Sequence, residues 1–324
     1  MMRSVLAAIG WCMTLLAPAS AQDAFPARRQ VTVVVPFAAG GGSDLLGRIL
    51  AEHLRKNLNQ NVVVSNVVGA GGTVGTAQVA RATPDGYTLL LHHIGMSTAP
   101  ALYKDLSFDP VRSFEPIGLF ADSPFMLISH KDFAPNNMRE VVDYVKKHGD
   151  RVNFGTPGVG SGGHLCALLF EKEIGVKVTQ LSYKGNFLAL QDLLGGRLDL
   201  MCDSPPAAMG HIKSGAVKPY VMLGGRRLDA LPNLPTATEA GYRTLDLMSI
   251  WYGVWAPAGT PKAVVERLSQ ALRAASYDAG VRAQVAKLDS TVFEPAETTP
   301  EALRQRLASQ IQLWTPIIQS EPKQ

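Results

Sequence analysis

The stretch that decides the fold is Val31-Thr32-Val33-Val34-Val35-Pro36-Phe37-Ala38-Ala39-Gly40-Gly41-Gly42-Ser43-Asp44. The β-branched run over 31–35 predicts a strand, and the helical spacing of apolar residues over 45–58 predicts a helix. The glycines between them permit a tight turn and leave backbone N–H groups uncovered. With Ser43 or Asp44 as the helix cap, these groups and the helix dipole would form an anion site. The alternative is an ordinary strand-to-helix turn.

A second stretch repeats this pattern in the middle of the chain. Val152-Asn153-Phe154 leads into Gly155-Thr156-Pro157-Gly158-Val159-Gly160-Ser161-Gly162-Gly163-His164, and leucines at helical spacing follow. We name residues 36–44 the first glycine loop and residues 155–164 the second glycine loop. Two such units predict two anion-binding helix starts that face each other across a cleft.

The N-terminus has the pattern of a secretory signal peptide. Arg3 precedes an apolar run over 5–16, and Ala19-Ser20-Ala21 forms a cleavage site. We therefore expect export to the periplasm with cleavage after Ala21. Cys12 lacks the small residues of a lipobox, and the apolar run is shorter than the roughly 20 residues that span a bilayer.

Composition fits an exported protein with two domains. The mature chain can form two domains of roughly 150 residues each, and 46% hydrophobic residues can supply two cores. The net charge of +4 is compatible with a small anionic ligand, and no basic run with interleaved aromatics indicates nucleic-acid binding. Export permits a disulfide between Cys166 and Cys202. Because free cysteines are commonly buried, two buried thiols are the favoured interpretation.

The order of strands and helices predicts an α/β protein with mostly parallel sheets. Residues 113–130 are predicted to form a long strand that passes from one domain to the other, and residues 247–255 a second crossing. The helical remainder is expected to pack on the first domain. The predicted organisation is a signal peptide (1–21), lobe 1 (22–122 with 248–324) and lobe 2 (123–247).

The order of eight motifs over nearly all of the mature chain resembles the extracytoplasmic solute receptors of the tripartite tricarboxylate transporter, the Bug family. These motifs are Pro36–Asp44, Gly69–Gly75, Pro84-Asp85-Gly86-Tyr87-Thr88-Leu89, Gly155–His164, Tyr183-Lys184-Gly185, Leu193–Asp203, Leu231-Pro232-Asn233-Leu234-Pro235-Thr236 and Ala256–Pro261. The resemblance implies a type II periplasmic binding protein fold, with two α/β lobes, a ligand cleft and two crossing strands.

The same resemblance implies a function. The protein would capture a small carboxylate, a di- or tricarboxylate or an aromatic dicarboxylate, and deliver it to the transporter's membrane subunits or to a sensor kinase. It is expected to act as a monomer, with no cofactor, metal or catalytic residue.

Carried over by position, the two glycine loops hold one ligand carboxylate through backbone N–H and hydroxyl groups, and ordered waters hold the rest of the ligand. The contributing residues are Phe37, Ala38, Gly40, Gly41, Ser43 and Asp44 in the first loop, and Thr156, Gly158, Val159, Gly160, Ser161 and His164 in the second. A β-branched residue at Gly41 or Gly160 is expected to force the loop out of a positive-φ geometry.

Four further candidates lie at strand ends on the cleft side: His93, Ser97, Tyr183 and Asp203. Phe37, His93, Tyr183 and Asp203 each have a purely structural alternative. Trp251 and Tyr252 could stack on a planar ligand or pack in the hinge.

The sequence departs from the family pattern at His92, at Gly162-Gly163 and at Asn186-Phe187. The extra aromatic at Phe187 and the pair His92-His93 favour a dicarboxylate with a planar body.

The alternative class is an exported hydrolase or a nucleotide-binding enzyme. Gly158–Gly163 matches G-x-G-x-x-G, but the next strand ends in Tyr183-Lys184, where a dinucleotide site requires an acid. Neither Ser43 nor Ser161 lies in G-x-S-x-G, and no zinc-ligand spacing occurs. We therefore predict a binding protein and not an enzyme.

Overall fold

The computed structural model describes residues 25–320 as helices and strands that alternate along most of the chain. The strands are β1 (Val31–Val35), β2 (Val62–Asn66), β3 (Thr88–His93), β4 (Phe114–His130), β5 (Asn153–Thr156), β6 (Thr179–Ser182), β7 (Leu200–Asp203), β8 (Val217–Leu223), β9 (Ser249–Pro257) and β10 (Thr291–Val292). The helices are α1 (Gly42–Leu58), α2 (Thr73–Ala80), α3 (Gly95–Leu102), α4 (Met138–His148), α5 (Gly162–Ile174), α6 (Asn186–Leu194), α7 (Pro205–Lys213), α8 (Lys262–Arg273), α9 (Ala279–Ala286) and α10 (Pro300–Gln319).

The strands form two sheets that share β4. The first has the order β2-β1-β3-β9-β4, with β10 also on β4, and the second continues from β4 through β7 and β5 to β6, with β8 also on β4. Within the first sheet β1 is parallel to β2 and β3, and within the second β5 is parallel to β6 and β7. Each glycine loop therefore follows the carboxyl end of a parallel strand, where open α/β sheets bind ligands.

The long strand β4 connects the two lobes. It pairs with β9 from Phe114 to Pro124, with β8 from Phe125 onwards and with β7 from Met126 onwards. The predicted crossing strand over 113–130 is thus confirmed. The chain returns from the second sheet to the first over residues 243–249. The 3-10 turn at Arg243–Leu247 still packs on α5, and β9, which begins at Ser249, already pairs in the first sheet. The lobe limits given above stay a prediction.

Apolar packing explains why these elements hold together. Leu89, Leu90 and Leu91 of β3 are fully buried, as in parallel strands covered on both faces. The C-terminal helix α10 packs on α3 and β4, in agreement with the expectation that the chain returns to lobe 1. The sequence interpretation missed β10, whose two residues are too few to form a recognisable pattern.

The cysteines differ from expectation, because Cys166 and Cys202 form a disulfide. The preference for two buried thiols was wrong. Helix α5 packs on β7 and brings the two Cα atoms to 6.2 Å, within the range that a disulfide spans. Both residues are buried, so the bond fastens the helix after the second glycine loop to the strand beside it.

The predicted signal peptide lies outside the described residues. Between residues 25 and 320, the helices lack the combination of length and hydrophobicity that a bilayer crossing requires.

Candidate ligand cleft between the two glycine loops

The first glycine loop ends at Gly41, which is the N-cap residue of α1 and has no side chain to cap with. The prediction that Ser43 or Asp44 caps the helix is therefore wrong. The expected positive φ is also wrong for Gly41, whose φ is −80°, and it belongs instead to Gly40, with φ +82°. The first-turn N–H groups of Gly42 and Ser43 have no intrahelical carbonyl to bond, so they remain donors for an anion.

The side chain of Asp44 stabilises the first glycine loop through hydrogen bonds. One carboxylate oxygen accepts the Gly40 N–H at 2.9 Å and Arg48 Nε at 2.9 Å, and the other accepts Asn66 Nδ2 at 3.1 Å. Burial by itself would raise the pKa of Asp44, but these bonds hold that pKa below its usual range. Asn66 also donates to the carbonyl of Phe37 at 3.0 Å. The Asp44 carboxylate therefore holds the first glycine loop in its conformation.

Aromatic rings line lobe 1 beside this loop. The ring of Phe37 stacks on His93 with centroids 4.3 Å apart and meets His92 edge-on at 5.2 Å. His93 in turn meets Tyr252 edge-on, and the hydroxyl of Tyr252 lies 3.2 Å from Ser43 Oγ. The loop and the ends of β3 and β9 therefore form one packed cluster.

A backbone hydrogen bond fixes the tautomer of His93. Its Nδ1 accepts the Gly95 N–H at 3.0 Å, so the proton of the neutral ring lies on Nε2, which donates. His92 Nδ1 lies 2.7 Å from the His93 nitrogen and 3.1 Å from the His93 carbonyl oxygen. Burial lowers the pKa of His93 to about 4 and that of His92 well below its usual value. Both rings are therefore neutral at pH 7.

The second glycine loop is capped differently. Ser161 is the N-cap of α5, and its Oγ accepts the His164 N–H at 3.2 Å. The Gly160 N–H donates to His164 Nδ1 at 3.3 Å. Gly158 and Gly160 have φ values of +118° and +79°, so glycine is required there. The N–H groups at 162 and 163 lie in the first turn, and α5 has no carbonyl for them.

The other positions in and beside this loop differ in exposure. Thr156 is buried, with its Oγ1 3.3 Å from Ser182 Oγ, whereas Val159 is 48% exposed. In lobe 1, Ala38 lies in an exposed part of its loop. The hydroxyls of Ser97 and Tyr183 are engaged inside their own lobes. Ser97 donates to the Ile94 carbonyl at 2.6 Å, and Tyr183 donates to an Asp192 oxygen at 2.8 Å.

Asp203 ends β7 close to the second loop and is buried. Its two oxygens each lie 2.9 Å from Asn186 Nδ2, and one accepts the Ser204 N–H at 2.7 Å. Burial nevertheless raises the pKa of Asp203 to about 6, because these bonds offset the burial only in part. One of the departures from the family pattern, Asn186, is thus the partner of this acid.

A chain of close approaches runs from the first glycine loop to the second. A Cβ added at Gly72 would lie 3.1 Å from Phe37 Cζ, and one at Gly71 would lie 2.3 Å from Tyr103 Oη. A Cβ at Gly160 would lie 3.1 Å from Leu102 Cδ1 and 3.8 Å from that same hydroxyl.

The sequence interpretation missed Tyr103, Asn66 and Arg48, and left the role of Tyr252 open. Asn66 ends β2 at the same sheet edge as the loop, which is a signal that could have found it. Arg48 lies one helical turn after its partner Asp44, whereas Tyr103 and Tyr252 are recognised only from contacts between distant segments.

The described residues contain no group of three or more His, Cys, Asp or Glu side chains placed to hold a metal ion. The serines are also engaged in structural contacts, since Ser161 Oγ caps a helix and Ser43 Oγ lies beside the hydroxyl of Tyr252. The pKa of that tyrosine is raised to about 12 by burial. These contacts provide no activated nucleophile at either position.

Two α/β lobes joined by a shared strand, with a cleft at the carboxyl ends of their parallel strands, define a periplasmic binding protein. The family model for the tripartite tricarboxylate transporter family receptor matches residues 46–322. The chain therefore belongs to this receptor family, whose solute-binding members include the Bug proteins.

Solved structures agree with this assignment. The chain is 45% identical to the periplasmic binding protein BugD, with 90% of this chain and 96% of that chain covered and a TM-score of 0.78. MatC from Rhodopseudomonas palustris, solved with bound malate, is 36% identical over 91% of this chain and 100% of that one, with a TM-score of 0.79. Another R. palustris protein, solved with adipate, is 29% identical over 90% and 97%, with a TM-score of 0.79.

Proposed function

We propose that this protein captures a small dicarboxylate in the periplasm and delivers it to the membrane subunits of a tripartite tricarboxylate transporter. One carboxylate of the ligand binds the N–H groups at the starts of α1 and α5. The observation that most supports this is the chain of close approaches from Phe37 through Gly72, Gly71 and Tyr103 to Gly160. It brings two helix N-termini, each favourable to an anion, to the same cleft.

The proposed ligand is aliphatic and not planar. The faces of Phe37 and His93 stack on each other, so they do not form a slot for a third ring. His92 is buried beneath them, and Phe187 is 71% exposed at the start of α6. A planar ligand therefore cannot be held between these two rings. Malate and adipate, bound by two structural neighbours, are both aliphatic dicarboxylates.

Neutral donors suit such a ligand. His93 Nε2–H and the backbone N–H groups add no charge that would have to be neutralised when the cleft is empty. Asp44 repels the ligand only weakly, because its negative charge is partly neutralised by Arg48, whose Nε lies 2.9 Å from the carboxylate. Export with cleavage after Ala21, hand-off to a sensor kinase and action as a monomer stay predictions.

A thermal-shift screen followed by calorimetric titration tests the proposal. The panel comprises malate, adipate, citrate, a planar aromatic dicarboxylate and a monocarboxylate of matched length. An aliphatic dicarboxylate is expected to raise the melting temperature most, because a ligand that binds only the folded state stabilises it. No response to any carboxylate would contradict the proposal. Hydrolysis of an activated ester by the purified protein would instead support the enzyme alternative.

A further inference from the structure

The side chain of Tyr103 lies at the junction of the two lobes. It follows α3 directly, and its own N–H bonds the Ala99 carbonyl at 2.9 Å. The side chain is half-buried, and between residues 25 and 320 its hydroxyl makes no hydrogen bond. A half-buried hydroxyl with no protein partner can bond water or a ligand group that displaces the water.

Two glycines make room for this side chain. At Gly71 an added Cβ would lie 2.3 Å from Tyr103 Oη, so any larger residue would displace the hydroxyl. At Gly160 an added Cβ would lie 3.8 Å from the same oxygen. Gly71 belongs to the loop after β2 in lobe 1, whereas Gly160 belongs to the second glycine loop in lobe 2. The hydroxyl thus reaches from one lobe to the anion site of the other.

We propose that Tyr103 is a ligand-positioning residue of the cleft, whose hydroxyl donates a hydrogen bond to the carboxylate held at the second glycine loop. This inference rests on the proposed function. A phenol is neutral at pH 7, and an O–H donor to a carboxylate forms a short, charge-assisted hydrogen bond. Because Tyr103 belongs to lobe 1, the bond would also tie the ligand to both lobes and favour closure.

The structural alternative is that Tyr103 only fills space between Leu102 and Gly71. The two roles differ in whether the Tyr103 hydroxyl donates a hydrogen bond to the ligand. Tyr103→Phe retains the ring and its packing and removes only the donor. In a space-filling role this substitution changes neither stability nor affinity. In a positioning role it weakens binding and leaves the ligand-free protein unchanged.

The experiment compares four proteins by calorimetric titration with malate and adipate: the parent, Tyr103→Phe, Gly71→Ala and the double variant. Tyr103→Phe is expected to weaken binding about ten- to hundredfold, as for the loss of a hydrogen bond to a charged group. The melting temperature without ligand should not change. Tyr277→Phe is the matched control, because Tyr277 is 70% exposed, and it should bind as the parent does.

Gly71→Ala tests the same position without touching the tyrosine. Its Cβ would collide with the hydroxyl, and we expect weaker binding because the donor is displaced. In the Tyr103→Phe background the nearest ring atom to that Cβ is Cζ, at 3.3 Å, so the alanine should cost much less affinity there. Such non-additivity shows that both substitutions act on one hydroxyl.

The outcomes separate this inference from the function on which it rests. If the parent binds a dicarboxylate and Tyr103→Phe binds it equally well, the inference is wrong and the proposed function stands. If the parent binds no carboxylate of the panel, both are overturned. If Tyr103→Phe melts at a lower temperature without ligand, the hydroxyl already makes a stabilising bond in the ligand-free protein, and the inference is again overturned.

Discussion

The two glycine loops differ in what holds them. The first loop leads into a helix that no side chain caps. Its conformation is stabilised by the buried carboxylate of Asp44, which accepts the Gly40 N–H and pairs with Arg48. The second has a neutral brace. There Ser161 caps the helix, His164 accepts the Gly160 N–H, and a disulfide fastens α5 to β7.

The difference separates the groups that hold each loop in shape from the helix-start N–H groups that would bind an anion under the proposed function. In the first loop the acid supports the backbone from behind, so every first-turn donor of α1 stays open. In the second loop the Ser161 hydroxyl occupies the His164 N–H, which leaves fewer donors. We therefore expect the first loop to contribute more of the carboxylate contacts, and the second to be held more by neutral and covalent contacts.

The largest effect is expected from the covalent brace of the second loop. Replacing Cys166 and Cys202 together by alanine should lower the free energy of unfolding by about 3–4 kcal/mol, because the unfolded chain regains loop entropy. Urea unfolding of the parent and the double variant measures this difference. The reduced parent should behave like the variant. A difference below about 1 kcal/mol would show that the bond does not stabilise this lobe.

The second-largest loss of stability is expected from removing the Asp44 carboxylate, which stabilises the first loop. Asp44→Ala is expected to cost on the order of 1–3 kcal/mol, because the Gly40 N–H and the Asn66 amide lose a charged acceptor that is itself buried. Asp44→Asn, which retains the shape, should cost less. Glu52→Ala, in an exposed ion pair of the same helix, is the control and should change little. Equal effects of Asp44→Ala and Glu52→Ala would contradict the bracing role.

Lowering the pH should change the free energy of unfolding in opposite directions through His93 in lobe 1 and Asp203 in lobe 2. The folded pKa of His93, about 4, lies below the ordinary 6.5, so the unfolded state binds more protons and stability is lost as pH falls from 6.5 towards 4. The folded pKa of Asp203, about 6, lies above 3.8, so its contribution is lost as pH rises through 6. The two terms partly cancel in the parent.

Asp203→Asn removes the second of these terms. The variant should therefore lose more stability than the parent between pH 6.5 and pH 4.5, as measured by urea unfolding at each pH. Identical pH profiles for the two proteins would contradict the raised pKa of Asp203.

The smallest effect is expected at the cap of the second loop. Ser161→Ala removes the acceptor for the His164 N–H and should cost about 1 kcal/mol of stability. Ser161→Asp, which can accept the same bond, should restore stability but weaken ligand binding by charge repulsion. Unfolding and titration measured on the same samples separate the two effects. Weaker stability in Ser161→Asp than in Ser161→Ala would contradict the capping role.

Much of this architecture could be predicted from the sequence because its signals are local. The β-branched run at 31–35, the two glycine loops and the long strand over 113–130 each show their pattern within one segment, and each lies where expected.

The contacts inside the site could not be predicted in this way, because they join distant segments. Asp44 was expected to cap α1 or to meet the ligand, but its partner Asn66 lies at the end of another strand. The disulfide depends on how α5 packs on β7. Tyr103 is adjacent to Gly71 and Gly160 only in the folded chain. Spacing in the sequence carries no information about these distances.

The central claim is that one ligand carboxylate binds the starts of α1 and α5 together. Amide chemical shifts of the 15N-labelled protein, titrated with malate and with adipate, test it most directly. The account predicts that the amide signals of Gly42, Ser43, Gly162 and Gly163 all move with one saturation curve. The amides of Asn59, at the C-terminal end of α1, and of Gly149, at the C-terminal end of α4, should stay in place. Saturable shifts confined to one loop, or absent from both, would contradict the claim.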